Sequence, residues 1–120
     1  MKNEAKLALE NSLNKPCGTP CTWREDRDVY IEEMRSKFLK CTIEPVEVKA
    51  VATEWAQKYC NADSQIHNLV AVAHEDDRWL LYIPSQEEFV LAHGSVDKSP
   101  LKIFRGIGLA WDDALGEWLS

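Results

Sequence analysis

The sequence predicts an α+β fold: N-terminal helices packed on a three- to four-stranded antiparallel meander, with a short C-terminal helix. Three observations carry this. Apolar residues recur at helical spacing through the first third of the chain. From residue 66 the texture changes to short runs rich in branched and aromatic side chains, "IHNLVAVAH", "RWLLYI" and "EEFVLAH". The chain then closes on "GIGLAWDDALGEWLS", where Trp111, Leu115, Trp118 and Leu119 fall at i, i+4, i+7 and i+8.

The first helix is expected over residues 3–14. Ala5, Leu9 and Leu13 recur every four residues, with Leu7 and Ala8 beside them. Pro16 ends it, because proline disfavours helix in the residue before it. A second helix is expected over residues 26–41, with Ile31, Met34, Phe38 and Cys41 on one stripe. Asp26 or Asp28 suits its N-cap, since a short acid accepts bonds from the orphan N–H groups there. Residues 45–60 are ambiguous. Val48, Val51, Ala52, Trp55 and Tyr59 form a helical stripe, which favours helix, while Val46, Val48 and Ala50 also alternate with Glu47 and Lys49. A strand over 42–49 is the alternative.

The three β runs are joined by "EDD" and "PSQ", as in a meander of hairpins. "LKIFR", residues 101–105, is a candidate fourth strand. Leu69–Ala73 and Trp79–Ile83 lack a polar alternate face, so these strands are expected to be buried on both sides, with helices covering both. Trp55, Trp111 and Trp118 are expected in the core, and Trp23 in a loop. Gly116 costs the last helix about 1 kcal/mol relative to alanine.

At 120 residues the chain fits one domain, a helical half over about 1–60 and an acidic sheet half over about 61–120. The net charge is −6. Residues 1–60 hold ten Lys/Arg and ten Asp/Glu; residues 61–120 hold four against ten, so 4 − 10 = −6 lies in the second half. Such a surface repels phosphate backbones, which argues against direct nucleic-acid binding, and it attracts basic proteins. No apolar run approaches the roughly 20 residues of a membrane helix. The N-terminus lacks the apolar core of a signal peptide, so a cytoplasmic location without membrane attachment is expected.

Motifs for chemistry are weak. Cys17 and Cys21 form one loose pair, and Cys41 and Cys60 stand alone, unlike the two tight pairs of structural zinc. Reduced thiols are expected, with no metal and no cofactor. His67 and His74 are seven residues apart, so a regular strand turns them to opposite faces; His93 ends another strand. No serine sits in a Gly-x-Ser-x-Gly elbow, and Gly106-Ile107-Gly108 lacks the third glycine of a dinucleotide fingerprint. No catalytic residue is assigned. Asp112-Asp113 suit the cap of the last helix. Glu75-Asp76-Asp77 and Glu87-Glu88 lie at opposite ends of the meander, which rules them out as one acid/base pair. Trp79 adjoins the first cluster, and an aromatic beside acids suits a protein-binding patch.

The expected function is therefore a small acidic protein-binding module, of the inhibitor or immunity type that neutralises a basic partner protein. Its candidate binding residues are Glu75, Asp76, Asp77, Trp79, Glu87 and Glu88. The alternatives are a small enzyme using a cysteine or histidine, and an assembly subunit dimerising through a sheet edge or the Trp111/Trp118 helix.

Overall fold

A computed structural model describes residues 2–14, 27–59, 65–95, 100–103 and 113–118. Helix α1 spans Lys2–Leu13 and α2 spans Arg27–Leu39. Strand β1, Thr42–Ala52, leads into α3, Glu54–Tyr59. Strands β2 (His67–Glu75), β3 (Arg78–Ile83), β4 (Glu88–His93) and β5 (Leu101–Ile103) follow, and then α4, Ala114–Trp118. The α+β arrangement matches the sequence expectation, with five strands where three or four were predicted. They close into a barrel in the order β1-β2-β3-β4-β5. Neighbours are antiparallel except β1 and β5, which run parallel. Trp23, Cys17, Cys21, Cys60, Gly106, Gly108, Trp111, Asp112 and Leu119 lie outside the described residues.

The helix expected over 45–60 is corrected for its first half. Val46 to Ala50 pair with Ala71 to His67, and Val48, Ala50 and Ala52 are buried while Glu47 and Lys49 are exposed. Pairing with β2 thus decides between two patterns that local sequence leaves balanced. Thr53 starts the helix: its hydroxyl accepts the Ala56 N–H at 3.1 Å and its carbonyl accepts the Gln57 N–H at 2.9 Å. Once the upstream residues are extended, the stripe joining Val48 and Val51 to Trp55 no longer exists. Trp55 is 58% exposed, against the expectation of a core position.

The apolar strands bury two faces for two different reasons. One face of β2–β4, with Val70, Val72, Leu80, Tyr82, Phe89 and Leu91, packs on three helices. Ala5 and Leu9 come from α1, Ile31 and Phe38 from α2, and Ala114, Leu115 and Trp118 from α4. The other face, with Leu69, Ala71, Trp79, Leu81, Ile83, Val90 and Ala92, packs on Val48 and Ala50 of β1 and on Leu101 and Ile103 of β5. Barrel closure covers that face, where helices were expected. Closure also occupies the sheet edge along Ala50–Ala52 and Leu101–Ile103.

The strands are strongly staggered. One row of interior neighbours runs from Ala52 through Ile103, Ala92 and Trp79 to His74. The His74 N–H then donates to the carbonyl of Cys41, just before β1 begins. A row that leaves β1 at its end and returns before its start requires steeply tilted strands. A bulge sits at Val72, where Ala71 pairs with Leu81 and Ala73 with Leu80. The β1 side accommodates the same point with Ile43, Glu44 and Pro45 between the paired Thr42 and Val46. Proline has no N–H to offer a ladder, and a bulge is where it fits.

Helix α4 has only five residues, so specific contacts hold it rather than its own helicity. Asp113 stands before it, and its carbonyl accepts the Glu117 N–H at 2.9 Å. The hydroxyl of Ser12 in α1, itself buried, accepts the first helical N–H, that of Ala114, at 2.8 Å. Glu117, 1% exposed, accepts the Leu91 N–H of β4 at 3.1 Å through Oε2. The Trp118 ring packs 5.4 Å from Phe38 of α2. No described helix is long and apolar enough to cross a membrane.

Candidate functional site

The β2–β3 turn carries three consecutive acids, Glu75, Asp76 and Asp77. Glu75 pairs with Arg78 across the hairpin, leaving Asp76 and Asp77 as a two-residue tip. Asp76 takes φ 54°, a left-handed conformation that aspartate tolerates better than most residues. All three carboxylates, Glu75, Asp76 and Asp77, are exposed.

Backbone and side-chain bonds hold the tip from several sides. The His74 ring nitrogen Nε2 bonds the Asp76 carbonyl, and the ring stacks on Trp79 at 3.8 Å between centroids. Trp79 Nε1 donates to the Gly94 carbonyl at 3.0 Å, and the Gly94 N–H donates to the Asp77 carbonyl at 2.9 Å. Gly94 has φ +125°, open to glycine and strained for other residues, so this tie depends on it. The tip is thus preorganised, which lowers the ordering cost of binding.

Trp79 supports the turn from beneath. It is 8% exposed and belongs to the barrel interior, so its indole anchors the tip and the acids form the surface. The second acidic cluster lies at the other end of β3. Ile83 pairs with Glu88, and the N–H groups of Gln86 and Glu87 both donate to the Ile83 carbonyl, at 3.1 and 2.8 Å. Glu87 is exposed with φ 55°, and Glu88 is half-buried. The six residues of β3 separate the two clusters by roughly 17 Å, about twice the screening length at physiological salt. The structure therefore gathers Glu75, Asp76 and Asp77 and leaves Glu87 and Glu88 apart.

The histidines are placed differently from the simple alternation. His67 pairs with Ala50 and His74 with Trp79, and both partners belong to the interior core. The bulge at Val72 shifts the alternation by one, so both histidines share a face despite their odd spacing. They sit at opposite ends of β2 and do not converge. His93 pairs with Arg78, on the other face from His74 and with β3 between them. Among the described residues, no three His, Cys, Asp or Glu side chains gather as a metal site.

Cys41 was read in the sequence as a lone thiol and as the last residue of the second helix's stripe; that helix ends at Leu39. Cys41 donates to Glu75 Oε2 at 3.2 Å and lies 3.5 Å from the Lys37 carbonyl. Burial pushes its pKa above the ordinary thiol value, and the Glu75 hydrogen bond and charge add to this, while Arg78 partly offsets it. An activated nucleophile needs the opposite environment. The expected result is slow alkylation of Cys41 by iodoacetamide at pH 8, read by mass spectrometry of the peptide carrying it. The rate rises only at pH values above those at which an unfolded thiol reacts. Fast modification of native protein at pH 7 would contradict this placement.

Arg78 is the residue that sequence reasoning missed. It is the one Lys or Arg between Lys58 and Lys98, in a stretch with seven Asp and Glu. Its guanidinium lies 4.3 Å from the Trp118 ring centroid and donates to the Trp118 carbonyl. The available signal was its isolation among acids; its partner on α4 came from tertiary packing. Comparison with protein-family models, with curated proteins and with solved structures finds no match to this chain.

Proposed function

We propose that this protein is a small acidic binding module whose β2–β3 turn docks on a basic surface of a partner protein, in the manner of an inhibitor or immunity protein. The observation that carries the reading is the exposure of three consecutive carboxylates, Glu75, Asp76 and Asp77, on a turn fixed by His74, Trp79 and Gly94. Fixed like charges at a protruding tip attract a complementary patch, raise the encounter rate and repel wrong partners. The excess of six acids in the second half of the chain adds a longer-range field of the same sign.

A thiol enzyme acting through Cys41 is the weaker reading, because that thiol donates a hydrogen bond to the Glu75 carboxylate rather than to a histidine base. The experiment is affinity capture from the source cells with quantitative mass spectrometry, comparing wild type with E75Q/D76N/D77N. A stoichiometric basic protein retained by wild type and lost by the variant supports the reading. Equal recovery by both removes the turn as the docking surface.

A further inference from the structure

His74 stands at the base of the acidic turn. It is half-buried, its ring stacks on Trp79 at 3.8 Å between centroids, and Nε2 bonds the Asp76 carbonyl. A carbonyl only accepts, so Nε2 carries a hydrogen whether the ring is neutral or charged. In acid the second proton goes to Nδ1, which has no hydrogen-bond partner among the described residues. Titration therefore changes the charge of the ring and leaves in place the bond that shapes the turn.

Acids are its nearest charged neighbours along the chain. Glu75 and Asp76 follow it, and Asp77 completes the tip. Cys41 meets it from the junction of α2 and β1, where the Cys41 carbonyl accepts the His74 N–H at 2.9 Å, and Lys40 precedes that cysteine. On β3, Arg78 pairs with Glu75 and holds its guanidinium over Trp118; on β4, His93 lies on the opposite face. The Trp79 face under the ring also favours a cation.

We propose that His74 makes docking of the acidic turn pH-sensitive: with the imidazole neutral the turn presents three carboxylates over an uncharged base, and with it protonated one of those charges is cancelled. This rests on the docking role proposed for Glu75, Asp76 and Asp77. A basic partner is captured fast at neutral pH and more slowly in acid, with no rearrangement of the backbone. The test is the association rate of a labelled nona-lysine peptide at low salt, at pH 8 and at pH 5.5. For wild type the rate falls about threefold on acidification. For His74→Gln, whose amide nitrogen can take the place of Nε2, it stays within about 1.3-fold, and His74→Asn gives the same flat profile. His67→Gln, at the far end of β2, and His93→Gln, on the other face, keep the wild-type fall. By NMR, the His74 ring Cε1–H resonance of wild type moves between the two pH values, while contacts between the His74 and Trp79 rings persist.

A fall in His74→Gln equal to that of wild type, with E75Q/D76N/D77N still slower than wild type at pH 8, overturns the switch and leaves the docking role standing. So does a His74 ring resonance that stays put between pH 8 and pH 5.5. Nona-lysine association as fast in E75Q/D76N/D77N as in wild type at pH 8 overturns the docking role, and the switch with it.

Discussion

Replacing Trp79 with alanine lowers the unfolding free energy by about 3–5 kcal/mol, a large part of the stability of an ordinary domain. Three losses combine. The indole fills the barrel interior among strand residues from β1, β4 and β5. Its stack on His74 at 3.8 Å disappears, and the Gly94 carbonyl loses its 3.0 Å hydrogen bond. Gly94 is half-buried, so water recovers part of that bond and cavity formation supplies most of the loss. Trp55→Ala, by contrast, costs less than about 1 kcal/mol, because a side chain 58% exposed on α3 leaves little cavity behind. Urea unfolding of the two variants decides the matter. Comparable losses at both positions would contradict the extended β1 and restore Trp55 to a core helix.

That contrast locates what the sequence could and could not reveal. Helices α1 and α2 and strands β2–β4 were legible because apolar spacing switches from helical to strand texture near residue 66. The ends of β3 at Arg78 and Ile83 coincide with the run read from "RWLLYI". Strand β1 was not decidable, because "VEVKAVATEW" satisfies both periods until β2 pairs with it. Closure was out of reach altogether. It depends on a parallel pairing between Ala50–Ala52 and Leu101–Ile103, distant in sequence and three residues long. The shared facing of His67 and His74 depends on a bulge at Val72, and no local signal in "LVAVA" marks one.

The candidate site was legible in part for the same reasons. Turn acids between two apolar runs identify a hairpin tip, and meander geometry separates "EDD" from "EE". The role of Trp79 was not legible, since a strand-initial tryptophan looks alike whether it faces the barrel or the solvent. The contact of Arg78 with α4 spans forty residues and follows from how the last helix docks.

The second large effect concerns the turn itself. E75Q/D76N/D77N is expected to slow association with the proposed basic partner by about 10- to 100-fold at low ionic strength, since each fixed charge at the proposed docking tip contributes up to about 1 kcal/mol. E87Q/E88Q changes the same rate by less than about threefold, because those acids lie roughly 17 Å away, beyond the screening length. Dissociation changes less than association in the triple variant, as expected when steering charge is lost without cavities or clashes. Equal effects from the two clusters would indicate a diffuse field in place of a docking tip. In either variant the fold is expected to persist, since Asp76, Asp77 and Glu87 have exposed side chains.

The most direct test is the association rate of the captured partner with wild type and with E75Q/D76N/D77N, measured from about 20 to about 500 mM salt. The account predicts a steep fall for wild type and a much shallower one for the variant, the two rates converging at high salt. A wild-type rate that does not change with salt, or two parallel curves, would contradict the acidic turn as the docking surface.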